Sequence, residues 1–223
     1  MNDEAENCRV PNSENIPMAK PLKSIETLIQ YFRNESTPLL LRDSESEFKL
    51  HNSQGELQVI LVLEGLVDVY RNSDQLLFAT ASAPTIFGMQ GSPYRYNMYK
   101  FVCHPGCILE SLSLSAVVKI IMEHQLLEEL LTCQTYFNDY HAYRTNMLIN
   151  KSAYEIVRAF LLELEREPAE IRANINVPAF ILARSNLARS GVMKILAELR
   201  QGEYIKIENG KLISILRVLP KAF

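Results

Sequence analysis

From Ile181 to Leu199 the chain reads I-L-A-R-S-N-L-A-R-S-G-V-M-K-I-L-A-E-L, and few folds accommodate that pattern. Leu182 and Ala183 close one apolar segment, and Leu187 sits in a short polar break. Val192, Ile195, Leu196 and Leu199 then recur at i, i+3, i+4 and i+7, the stripe of a second helix. Two helices joined by a short turn form a helix-turn-helix, whose second helix is shaped for the DNA major groove. Its outward face would carry Arg189, Ser190, Met193 and Lys194, three of them hydrogen-bond donors. Gly202 ends the helix, and Asn209-Gly210 then separates two apolar-rich runs. Asn-Gly suits a type I′ turn, which needs positive φ at both positions, so a hairpin is expected there as a wing. Lys206 and Lys211 stand where such a wing would meet phosphate. The plainer alternative is a small helical unit whose hairpin packs on another protein.

Charge is divided along the chain in a way that favours nucleic acid at this end. From Val177 onward there are eight Lys or Arg against three Glu, a net of +5, whereas the preceding residues carry fifteen against twenty-three, a net of −8. A basic C-terminal fifth is the electrostatic footprint of a phosphate-binding part, and the acidic remainder suits dimerising or sensing. No apolar run is long enough for a membrane span, and the N-terminus lacks the apolar core of a signal peptide. Four cysteines are too few for a disulfide scaffold, so a reducing cytoplasm is the expected compartment.

Residues 1 to about 20 read as a flexible polar tail, followed by a short amphipathic helix on Ile25, Leu28, Ile29 and Phe32. Between Pro38 and Leu112, short apolar runs alternate with turn residues. The expected strands are Leu39–Arg42, Glu47–His51, Leu57–Leu63, Leu66–Arg71, Leu76–Ala79, Lys100–Val102 and Ile108–Leu112. That spacing argues for an antiparallel barrel or jelly roll. A long helix is expected from about Gln125, with Leu126, Leu130, Cys133, Phe137, Tyr140 and Met147 as a two-chain seam interrupted by Arg144. The same stripe would equally pack on its own barrel. Ser152 and Glu155 read as a capping box opening the next helix. The expected class is therefore α+β: residues 21–124 a jelly-roll barrel, 125–149 a dimerisation helix and 150–223 a winged helix-turn-helix.

In that order the chain resembles the cyclic-AMP-receptor/fumarate-nitrate-regulator (CRP/FNR) superfamily of transcription factors. Q-V-I-L-V-L-E-G-L-V-D-V-Y-R (Gln58–Arg71) resembles the superfamily's strand-Gly-strand signature, and Leu182–Leu196 its DNA-binding signature. From Ala188 to Ile215 it is more narrowly similar to the divergent IprA/YaiV-type winged-helix regulators. The resemblance implies double-stranded DNA as partner, a homodimer, and base-edge positions at Arg189, Ser190 and Lys194. Ser190 stands where many members carry Glu, so the half-site read need not be theirs. The narrower group's name implies a link to peroxide resistance.

Members that bind cyclic nucleotide carry a Gly-Glu pair and a following Arg-Ser/Thr pair, for the ribose hydroxyl and the cyclic phosphate. The matching stretch here, Ile86–Tyr99, keeps Gly88 but has Met89 for the carboxylate, and no Arg-Ser/Thr pair follows; Arg95 stands alone. The expectation is no cyclic nucleotide, with an unknown small molecule in the barrel left open. Cys103-His-Pro-Gly-Cys107 places two thiols around a turn, as a redox pair or as two small buried apolar groups. No metal or cofactor is expected, because structural zinc wants four ligands. No catalytic constellation emerges: the histidines at 51, 104, 124 and 141 are scattered, and Glu128-Glu129 reads as a solvated helix face. The class-different rival is a regulator whose winged helix binds another protein, and steep salt dependence would mark the DNA reader.

Overall fold

The computed structural model describes residues 18–41, 46–89 and 98–221. The expected tail up to residue 17, Cys8 and Arg95 lie outside the described residues. Helix α1 (Leu22–Phe32) buries Ile25, Leu28, Ile29 and Phe32, the spacing expected of one helix face. The three residues before Pro21 are not tail-like: the Met18 amide donates to Asp139 at 2.8 Å and Lys20 Nζ to the Ser82 carbonyl at 2.5 Å.

Among the described residues eight strands follow: β1 (Thr37–Pro38), β2 (Glu47–Phe48), β3 (Gln58–Glu64), β4 (Leu66–Arg71), β5 (Leu77–Ser82), β6 (Thr85–Phe87), β7 (Tyr99–Cys103) and β8 (Ile108–Ser113). They form two antiparallel four-stranded sheets, ordered β1-β8-β3-β6 and β2-β7-β4-β5. The first strand lies earlier than Leu39–Arg42, at a sheet edge where Pro38 leaves no ladder donor missing. The second strand ends at Phe48, short of His51, which forms an isolated bridge to Leu57 outside the strand. Strand β6 was not expected: three residues between Pro84 and Gly88 carry no measurable alternation. Between the sheets, the Phe48 and Phe101 rings stack at 5.1 Å and Phe87 meets Phe101 at 4.9 Å.

Two helices then descend. α2 (Leu114–His124) is capped by Ser113, and Gln125 takes a left-handed conformation with φ 56°. That residue breaks the helix expected to start there; α3 (Leu127–Leu148) begins two residues later, with Leu126 at its N-cap. The expected dimer stripe turns inward. Leu126 and Cys133 are buried in a core shared with α1 and the barrel, and Leu130 and Phe137 pack against it. Tyr140 meets the Phe78 ring edge-on at 5.7 Å, and Met147 lies in the C-terminal core. The face left outside carries Leu127 and Leu131, 57% and 56% exposed, then Thr135, Asn138 and Ala142.

Arg144 does not interrupt the inward stripe; it belongs to it, at 1% exposure. Its guanidinium lies 5.1 Å from the Phe160 ring centre, and Nη1 reaches Glu163 at 3.4 Å. Nε and Nη2 have no hydrogen-bond partner among the described residues. Burial pushes the Glu163 carboxyl upward, opposed by Arg144 and Arg184.

The remaining elements are α4 (Ala153–Arg166), α5 (Ala169–Arg172), α6 (Val177–Arg184), α7 (Arg189–Gln201), β9 (Ile205–Glu208) and β10 (Lys211–Ile215). The capping box forms as read, with the Glu155 amide on Ser152 Oγ at 3.2 Å and the Ser152 amide on Glu155 at 2.8 Å. Phe160, Leu164, Ile181, Val192 and Leu199 close one core beneath the wing. No helix among the described residues is long and apolar enough to cross a membrane.

Candidate nucleic-acid interface

Asn176 opens the helix-turn-helix: its side chain accepts the Ala179 amide at 3.0 Å, and Pro178 occupies the first turn, where a missing N–H costs nothing. α6 ends at Ser185, whose hydroxyl donates back to the Ile181 carbonyl at 2.7 Å in a buried position. After a four-residue turn α7 begins, with Val192, Leu196 and Leu199 facing inward. Arg189, Ser190, Met193 and Lys194 all lie on the exposed side, as the spacing predicts. Lys194 Nζ stands 3.9 Å from Glu198, a loose pair of little worth at this exposure.

The first turn of α7 holds no acidic side chain, and its N-cap residue, Ala188, supplies no side-chain acceptor. The leading amides are thus left for an external oxygen, and the helix dipole favours an anion there. Sequence reasoning missed this feature, although an alanine at the cap position was its visible signal.

Asn209 and Gly210 both take positive φ, 50° and 78°, so the expected turn is in place. Glu208 pairs with Lys211 and Ile207 with Leu212 across it. The turn is packed against the start of α6: the Val177 amide donates to the Gly210 carbonyl at 2.8 Å, and a Cβ on Gly210 would stand 2.5 Å from Asn176 Nδ2. The two wing lysines part company. Lys206 is exposed and pairs with Glu208 at 2.9 Å. Lys211 turns back, its ammonium donating to the carbonyl of Ala173, the C-cap residue of α5.

In the barrel, Gly88 has φ 96°, and a Cβ there would meet the Gln58 carbonyl oxygen at 2.3 Å, so the glycine permits a backbone contact with β3. Met89 packs against the core beside α1, and its carbonyl accepts from Gln134 at 3.1 Å. Cys103 and Cys107 come together as the turn predicts: burial and the neighbouring Cys107 thiol push Cys103 up to about 12. It therefore holds its proton at neutral pH, which counts against thiolate chemistry. Cys107 is half-buried and donates to the Leu66 carbonyl at 3.1 Å. Among the described residues no three His, Cys, Asp or Glu side chains group as a metal site.

Two packed sheets, a long helix and a winged helix-turn-helix make up the architecture of the described residues. Residues 153–221 match the family model described as winged helix-turn-helix DNA binding. Solved structures share the fold: FixK2 of Bradyrhizobium japonicum has a TM-score of 0.59 at 20% identity, over 82% of this chain and 93% of that one. The c-di-GMP responsive global regulator CLP of Xanthomonas campestris has a TM-score of 0.63 at 12% identity, over 86% of this chain and all of its own. The inhibitor of hydrogen peroxide resistance from Salmonella typhimurium is 30% identical over 91% of this chain and 98% of its own length. Its Escherichia coli counterpart is 28% identical over 84% and 86%. The chain belongs to the family of these inhibitors of hydrogen peroxide resistance.

Proposed function

We propose that this protein is a sequence-specific, DNA-binding transcriptional regulator acting on genes of the oxidative-stress response. The observation that carries the reading is the outward end of α7: Arg189, Ser190, Met193 and Lys194 exposed on a helix start with no acid and no side-chain cap. Arg189 suits the O6 and N7 acceptors of guanine, and Lys194 lies just over one turn further along. Lys206 supplies a phosphate contact from the wing. Lys211 serves the fold of the wing in this reading, not the phosphate.

The regulator works as a homodimer. Its seam is the outward face of α3 with Val118 and Met122 of α2, which are 54% and 76% exposed. Two copies joined there would present two recognition helices to a two-fold site, each raising the other's effective concentration. Cyclic nucleotide has no role, since Met89 packs inward where a ribose-binding carboxylate would be needed.

Selection from random duplex DNA tests the assignment. Wild type should return a two-fold motif, and Arg189→Ala should lose preference at one base position in each half-site, weakening that site by roughly 1–3 kcal/mol. The same motif at undiminished strength removes Arg189 from the interface. Binding that barely responds to salt would favour a protein partner for the winged helix.

A further inference from the structure

The end of α6 and the exposed turn after it are tied to the barrel by side-chain hydrogen bonds. At the end of α6 the Arg184 guanidinium lies 3.9 Å over the Phe180 ring, and its Nη2 donates to Thr80 Oγ1 at 3.2 Å. The Thr80 hydroxyl donates in turn to Asp68 Oδ1 at 2.6 Å, and the other Asp68 oxygen stands 3.0 Å from His104 Nε2. Two residues further, Asn186 Nδ2 donates to Asp74 Oδ2 at 3.4 Å. Burial pushes the Asp74 carboxyl up, but Arg71, the Leu76 amide and Asn186 outweigh it and hold it ionised. Asp68, Asp74 and Thr80 all belong to β4, β5 and the turn joining them.

Asn186 precedes Arg189 by three residues. In a helix-turn-helix the start of the second helix enters the major groove, so the turn before it comes close to the phosphate backbone. A duplex seated on α7 would therefore crowd the β4–β5 hairpin and bring its phosphates toward Asp74. Steric overlap and like charge act in the same direction.

We propose that the β4–β5 hairpin and DNA compete for one end of the helix-turn-helix, making the hairpin an autoinhibitory clamp that must open before DNA is bound. This rests on the DNA-reading function above. It also gives the barrel a direct hold on the winged helix, through Arg184 and Asn186.

The full chain carrying Asp74→Cys and Asn186→Cys, joined by a short bis-thiosulfonate linker, tests the clamp; identically treated wild type controls for the native cysteines. The probe is a labelled random-sequence duplex at low salt, and the second readout is hydrogen exchange at the amides of residues 186–190. The linked protein should bind the duplex at least about tenfold more weakly, and cleaving the linker with reductant should restore binding. A release variant, Thr80→Val with Asp74→Ala, leaves the winged helix intact and should bind roughly five- to tenfold tighter, the range of a modest coupling between sites. Its amides at 186–190 should exchange faster. Equal affinity of the linked and cleaved forms overturns the clamp, as does unchanged exchange in the release variant. If exchange responds while no form binds the duplex, the hairpin's hold on the turn stands, but the DNA reading fails and the competition falls with it.

Discussion

Leucine 131 and phenylalanine 137 lie six residues apart on one helix, yet a charge at each should produce opposite failures. Leu131 is 56% exposed on the outward face of α3, whereas Phe137 packs into the core shared with the barrel. Complete burial of a leucine is worth about 1.5–3 kcal/mol, so covering the exposed half contributes about 1–1.5 kcal/mol per protomer and about 2–3 kcal/mol per dimer. Leu131→Asp removes that and sets two carboxylates facing each other. At 1.4 kcal/mol per decade the dimer should dissociate roughly 50-fold more readily, with little change in melting. Phe137→Asp should instead cost about 3–5 kcal/mol of folding, lowering Tm by about 6–20 °C. Sedimentation velocity with circular-dichroism melts on both variants decides the matter. A dimeric Leu131→Asp beside a folded, monomeric Phe137→Asp would refute the assignment of faces and return the seam to the inward stripe.

Other consequences are equally open to measurement. Gly65 has φ 93°, and a Cβ there would stand 2.6 Å from Cys107 Sγ. Gly65→Ala should destabilise the barrel by about 2–4 kcal/mol, and adding Cys107→Ala should recover part of that in thermal melts, leaving the backbone strain. Burial pushes the Glu110 carboxyl up, but the Ser36 hydroxyl at 2.5 Å and Arg33 at 3.0 Å outweigh it and hold it below its ordinary 4.5. The unfolded chain then binds the proton first, so the stabilisation is full above that ordinary value and is lost as pH falls through the depressed one. Urea titrations from about pH 7 to about pH 3 should show Glu110→Gln less stable than wild type near neutrality and converging with it in acid. Titration calorimetry with cyclic AMP should give no specific heat up to about 1 mM ligand, and a micromolar affinity would overturn the reading of Met89.

The helix-turn-helix and its wing are legible because local chemistry dictates them: Asn209-Gly210 tolerates its own dihedrals wherever it occurs, and the 3/4 spacing after Arg189 needs no distant partner. The longer barrel strands are legible in approximate place, but the short ones are not: seven are expected against eight among the described residues, since Thr85–Phe87 is too brief for alternation to register. Periodicity identifies an apolar stripe on α3 but not what it packs on; within the chain, α1 and the barrel share a core that buries Leu126 and Cys133, and Phe137 packs against it. Arg144 looked like a break because its partners, Phe160 and Glu163, lie on the next helix. Lys211 looked free because its acceptor, the Ala173 carbonyl, belongs to backbone 38 residues earlier. The hold of the barrel on Arg184 and Asn186 joins residues 104 and 112 apart, a separation at which no local pattern survives.

Arg144 sets the roll of α3 about its own axis. An apolar stripe alone tolerates a helix turned by one position, since leucine packs acceptably on leucine in more than one register. A guanidinium in that stripe does not: only one rotation brings it over Phe160 and beside Glu163, and any other strands a charge in the core. The roll of α3 in turn decides which residues stand outside, so the interior arginine selects the outer face bearing Leu127 and Leu131. Like a single polar residue that fixes the register of a coiled coil, it trades stability for a defined orientation. Two copies meeting there would then set their winged helices at one reproducible distance and angle.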